Sequence, residues 1–114
     1  MDSQQRNKLR GHPLLPDELK ATLPKLYSQE KIEDKIVHVK FFHPQSEWTW
    51  LACEGQPEEE DFLMFGYVIG HEGEWGYFTL EQLDEIGGLS NGRLIMPVER
   101  ELYFKPTPFS KVQK

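Results

Sequence analysis

FLMFGYVI, residues 62–69, is apolar on both faces of any strand it forms, with Phe62, Met64 and Val68 on one side and Leu63, Phe65, Tyr67 and Ile69 on the other. A strand with one wet face alternates apolar and polar residues, so a run like this belongs inside a sheet with something covering each side. The reading makes 62–69 the central strand. It also predicts a buried Phe65, whose truncation to alanine costs about 3 to 5 kcal/mol.

Working outward, Trp48–Glu54 reads as a strand with Trp48, Trp50 and Ala52 on one face and Thr49, Leu51 and Cys53 on the other. Ile36–Phe42 reads as its hairpin partner across His43–Glu47, with Val37, Val39 and Phe41 sharing a face. Gly55–Asp61 reads as an acidic loop, and Trp75–Phe78 as a short fourth strand. Thr79-Leu80-Glu81-Gln82 is a capping box, in which the threonine and glutamine side chains satisfy free backbone donors at a helix start; Leu80, Leu83 and Ile86 give that helix its apolar stripe. Pro16 opens an earlier short helix that Pro24 stops, after which Leu26 and Tyr27 are expected to pack down as an anchor. Leu89–Pro97 reads as a connection and Val98–Phe104 as the last strand. The resulting fold is α+β: a small antiparallel sheet of four or five strands with one or two short helices, spanning residues 14–104. Residues 1–13 and 105–114 read as flexible arms.

A chain of 114 residues holds one core, and an active site between two full domains does not fit in one copy. The net charge of −6 disfavours phosphate backbones and anionic membranes, since Arg6, Lys8 and Arg10 are too few to form a basic footprint. One cysteine, Cys53, excludes an intrachain disulfide and a Cys-based zinc site. No apolar run reaches a membrane span and the first ten residues do not form a secretory signal, so the cytoplasm is the expected location.

The chemistry-bearing residues are few. His12, His38, His43 and His71 have no metal-ligand spacing, and no cofactor motif is present. Glu54 and Glu58–Asp61 gather negative charge, which reads as a solvated turn or as a patch for a basic partner. Arg100, in a row with Val98, Leu102 and Phe104, must snorkel or pair, with Glu54, Asp61 or an anion as candidates. Gly66 and Gly76 interrupt aromatic strands where a ring or a backbone must come close. Trp48, Trp50, Trp75 and Tyr77 supply more aromatic surface than one small face needs, and can line a groove. The candidate binding residues are therefore Trp48, Trp50, Glu54, Asp61, Trp75, Tyr77 and Arg100.

Leu23-Pro24-Lys25-Leu26-Tyr27, Val39-Lys40-Phe41-Phe42, Trp48-Thr49-Trp50, Phe65-Gly66-Tyr67-Val68, Glu74-Trp75-Gly76-Tyr77-Phe78 and Glu99–Phe104 together resemble the pattern of the DUF2958 family, over roughly residues 20–104. The resemblance carries over no reaction, cofactor or catalytic residue. The resemblance implies a family found in bacteria and archaea, often on plasmids and other mobile elements near antirestriction or replication genes. That setting implies an accessory protein that modulates or inhibits a host defence or DNA-processing system. The absence of a poised nucleophile or metal set and the acidic, aromatic-rich surface point to a non-catalytic binder, as a monomer or small homo-oligomer, of a protein partner with a basic or apolar patch. Two rival readings stay open: a small hydrolase or ligand-binding enzyme using Glu54, Asp61 and His43 or Arg100, and direct nucleic-acid binding through Lys25, Lys31, Lys35 and Lys40.

Overall fold

The computed structural model describes residues 1–114. Its strands are β1 (Ile36–Val37), β2 (Val39–Phe42), β3 (Thr49–Glu58), β4 (Asp61–Ile69), β5 (Gly73–Thr79), β6 (Gly88–Ser90), β7 (Arg93–Ile95), β8 (Glu99–Arg100) and β9 (Thr107–Pro108); its helices are α1 (Ser3–Arg10), α2 (Asp17–Lys20) and α3 (Leu80–Asp84). Five strands form one antiparallel sheet in the order β5-β4-β3-β2-β8, while β1 pairs with β9 and β6 with β7 in two small ladders. The fold is the α+β arrangement that the strand and helix patterns imply.

Each face of the sheet carries its own core, where the chain length implies a single one. On the first, Val39, Phe41, Trp50, Ala52, Phe62, Met64 and Phe78 pack against Leu14, Leu15 and Leu23 of the N-terminal segment, Leu83 of α3, and Val98. On the second, Leu51, Cys53, Val37 and Val112 are buried, with Tyr67, Ile69, Phe104 and Phe109 partly covering them. The faces of β4 are as its pattern requires and the strand is internal, but β3 is the middle strand of the five. Phe65 is half-buried: on its side of β4 the second core takes in Tyr67 and Ile69 but not Phe65, whose ring meets Trp75 and Tyr77 instead.

Several boundaries differ from the sequence reading, each for a reason of pairing. His38 divides the first strand: its N–H bonds to Ala52 O, and the break turns Val37 to the second core while Val39 and Phe41 face the first. Gly55–Glu58 is strand, paired through to Asp61, so only Glu59 and Glu60 turn the chain. The connection at 89–97 contains a hairpin around Asn91-Gly92, both at positive φ as such tight turns require. Of the strand expected over Val98–Phe104, only Glu99–Arg100 pairs; Leu102 and Tyr103 leave the sheet and stand in solvent.

The expected arms also have structure. Asp2 and Gln5 form a capping box that starts α1, and Gly11 ends it in the left-handed conformation. The helix buries Arg6 and Arg10 instead of apolar residues, and both reach Asp84 of α3. At the other end, β9 pairs with β1, and Val112 enters the second core.

Candidate functional site

The site begins at a β-bulge. Ala52 pairs with Gly66 and Glu54 with Phe65, so Cys53 is an extra residue on β3. Leu51 pairs with Tyr67, and because Phe65 and Tyr67 share a face, Glu54 shares that face with Leu51. Strict alternation would have placed Glu54 with Trp50 and Ala52. Bulges re-aim side chains in this way. Gly66 permits it: a Cβ there would lie 1.9 Å from the Leu51 carbonyl oxygen, whereas one at Gly76 would meet open space.

Glu54 is 3% exposed and its carboxylate holds the loop after Pro24. Oε1 accepts the Tyr27 N–H at 2.8 Å and Oε2 accepts the Gln29 N–H at 2.7 Å. The Gln29 side chain continues the lattice, donating to Ile36 O and Cys53 O at 3.0 Å each and accepting the Ile36 N–H at 2.6 Å. Lys35 Nζ donates to Gln29 O and Ile32 O. This lattice fixes Tyr27 at φ 72°, the left-handed region that a bulky side chain avoids. Leu26 is buried as an anchor, but Tyr27 is 62% exposed.

The Tyr27 ring stands at a cleft of about 220 Å³ lined by Tyr27, Glu30, Lys35, Glu54, Phe65 and Tyr77. Beside it the rings continue: Phe65 lies 5.0 Å from Tyr77 and 5.9 Å from Trp75, and Tyr67 and Phe109 close the row against Trp75 at 5.2 and 4.8 Å. Tyr77 and Trp75 are 51% and 39% exposed. The Tyr77 phenol is pushed above the ordinary tyrosine pKa, first by its interaction with the Tyr27 phenol and further by the negative charges of Glu54 and Glu30.

Of the seven candidate residues, Glu54 and Tyr77 line this cleft and Trp75 adjoins it. The others lie elsewhere. Trp48 and Trp50 stack at 5.9 Å on the side of the first core, Trp50 buried and Trp48 beside His71. Asp61 Oδ1 accepts the N–H groups of Phe62 and Glu81, tying the β4 start to α3. Burial raises the Asp61 pKa, but these bonds outweigh it and leave the group below its ordinary value. Arg100 pairs with neither acid; its guanidinium donates to the carbonyls of Pro13 and Leu14 at 3.0 and 2.7 Å. His43 bonds to Ser46 and Met96 O. Glu54, Asp61 and His43 line three different clefts, and Arg100 lines none of these three. Lys40 is held by Glu101 and Gln113 O. Tyr27 and Phe65, the residues that sequence reasoning placed in packing roles, are the ones that complete the site.

A family model described as a protein of unknown function, DUF2958, matches residues 14–112, which includes the C-terminal pairing strand. Over 60 residues the chain is 33% identical to a dual-specificity RNA pseudouridine synthase RluA of Vibrio parahaemolyticus serotype O3:K6 (strain RIMD 2210633), covering 50% of this chain and 24% of that enzyme. The chain thus spans about a quarter of that relative. No solved structure matches it. No helix is long and apolar enough to cross a membrane.

Proposed function

We propose that this chain, which belongs to the DUF2958 family, is a non-catalytic accessory protein that binds another protein on the face carrying Tyr27, Phe65, Trp75 and Tyr77. Tyr27 carries the reading. A non-glycine residue in the left-handed region costs roughly 1 to 3 kcal/mol. Here a buried carboxylate maintains that conformation for a ring that stays largely in solvent. Packing gains little from such a ring, whereas a partner gains a fixed contact.

Three further features support it. β5 is one of the two outer strands of the sheet, so an extended segment can add its backbone hydrogen bonds there while its side chains lie on Trp75 and Tyr77. Both Glu54 oxygens are occupied by backbone N–H groups, which suits a structural carboxylate better than a proton-transfer group. The charge of −6 favours a basic partner. Proteins that handle DNA present such basic surfaces to phosphates, so the proposed partner is a component of a defence or DNA-processing system whose basic surface this chain occupies.

The test is capture from cells of the source organism with protein tagged at either end. A basic partner recovered by wild type and by Trp48→Ser, and lost with Trp75→Ser/Tyr77→Ser, is the expected result. Recovery of nothing above background, or equal recovery by the double variant, would overturn the reading.

A further inference from the structure

The aromatic face already holds two of the chain's own cations. Lys114 Nζ lies 4.0 Å from the Phe109 ring centroid and Lys35 Nζ lies 5.9 Å from that of Trp75. Cations sit over ring faces because the quadrupole there is negative. Tyr27, Phe65 and Tyr77 carry none of the chain's cations, yet their cleft is lined by two carboxylates, Glu30 and Glu54, against the single ammonium of Lys35. That ammonium is engaged by backbone carbonyls. The Tyr77 phenol, raised first by the Tyr27 phenol, is raised further by these two carboxylates. At about 220 Å³ the cleft is smaller than a small-molecule site of about 300 to 1,000 Å³, and suits one side chain.

We propose that the Tyr27–Phe65–Tyr77 cleft is a receptor for a guanidinium or ammonium group, taken from a basic side chain of an extended partner segment, with Glu30 and Glu54 supplying the counter-charge. The inference rests on the protein-binding reading and names the chemistry that the site selects. The rings provide a sequence-tolerant cation surface. The fixed Tyr27 geometry removes part of the ordering cost of closing around the group. An apolar side chain would fill the same space but leave Glu30 and the buried Glu54 without a positive neighbour from the partner.

N-acetyl-arginine methylamide and N-acetyl-lysine methylamide serve as probes, with N-acetyl-norleucine methylamide as the neutral counterpart of similar length. Titrations followed by NMR are expected to shift Tyr27, Phe65 and Tyr77 resonances saturably with at least one basic probe, and this binding is expected to weaken with added salt. Tyr77→Leu, which keeps apolar bulk but removes the π face, is expected to weaken it about fivefold, and Glu30→Gln, at an exposed loop position, to weaken it and flatten the salt dependence. Bound cation is also expected to lower the Tyr77 phenol pKa, read from its ultraviolet absorbance. Equal shifts with the norleucine probe, or no saturable shift with either basic probe, would overturn the cation receptor. Captured partner still lost by the Trp75→Ser/Tyr77→Ser variant would then leave the binding face standing without it.

Discussion

Glu54 holds Tyr27 in a conformation that tyrosine does not choose: the carboxylate accepts the Tyr27 N–H at 2.8 Å with φ at 72°. The two residues are therefore expected to respond in opposite directions. Glycine adopts that φ without a Cβ penalty, and the ring it removes is mostly exposed. Tyr27→Gly should leave stability unchanged or raise it by up to about 1 kcal/mol, while abolishing partner capture. Glu54→Gln instead sets an amide NH2 against one of two backbone donors, and should cost about 2 to 3 kcal/mol. Urea unfolding of both variants checks this; a Tyr27→Gly loss well above about 1 kcal/mol would mean the ring serves the fold.

Asp84 holds the N-terminal helix through two arginines. Its oxygens lie 3.1 Å from Arg10 Nη1 and 3.7 Å from Arg6 Nη2, and the Arg10 side chain is fully buried, which lowers its pKa from the arginine value despite the nearby carboxylate. Removing the negative partner leaves two guanidinium groups out of water with an uncompensated charge. Asp84→Asn should cost about 3 kcal/mol or release α1 from the body. Hydrogen exchange separates these outcomes: protection lost only in residues 3–10 means local release, and a lower urea midpoint with protection intact means a global cost. No change in either measurement would show that α1 is not docked through Asp84.

How much of this was legible depends on how local each cause is. Strands β3, β4 and β5 follow from their residue patterns, β4 from being apolar on both faces, and the capped α3 follows from Thr79 and Gln82. The bulge does not, because one extra residue at Cys53 becomes visible only once β3 is set against β4. It reverses the face of Glu54 and with it the location of the site. Helix α1 looks like an arm because its buried residues are arginines whose shared partner, Asp84, lies 74 positions beyond Arg10. The C-terminal segment looks like one because Thr107–Pro108 finds its ladder at Ile36–Val37. Asn91-Gly92 was a readable turn signal, but its three-residue flanks carry too little period to stand out. Of the four excess aromatics, Trp48, Trp75 and Tyr77 are exposed and Trp50 is buried, a difference that composition does not reveal, and the outward Tyr27 depends on a backbone angle that it does not reveal either.

Phe65 is the residue whose expected energy changes most. A fully buried phenylalanine would lose about 3 to 5 kcal/mol on truncation. Being half-buried, with its ring against those of Trp75 and Tyr77, it should lose about 1 to 2 kcal/mol. Its midpoint shift in urea is the measurement. A loss above about 3 kcal/mol would mean that the second face is closed in solution and the cleft with it.

Gly66 and Gly76 face each other across β4 and β5 but are expected to behave differently. An alanine Cβ at 66 would lie 1.9 Å from the Leu51 carbonyl oxygen, and backbone at the bulge has little room to retreat. Gly66→Ala should cost about 3 kcal/mol or more, and Gly76→Ala, which meets open space, should be neutral or stabilising by a few tenths. Similar midpoints for the two variants would mean that the bulge relaxes readily.

Cys53, the extra residue of the bulge, is fully buried, and burial pushes its thiol up to about 12, with the negative charge of Glu54 adding to the shift. A thiol whose pKa rises on folding adds stability that is fully present below its unfolded value and is lost as pH climbs toward the folded one. Here the window opens at about 9 and closes at about 12. Within it, wild-type stability should fall with pH more steeply than that of Cys53→Ala, by at most about 1.4 kcal/mol per pH unit. Below that window the thiol is neutral and shielded, so iodoacetamide should modify it no faster than the chain unfolds. Denaturant midpoints of the two proteins across the alkaline range, and the alkylation rate with and without urea, provide the checks. Parallel pH profiles, or fast alkylation of the folded protein, would mean that the bulge opens to solvent and that Glu54 is not held in a dry site beside it.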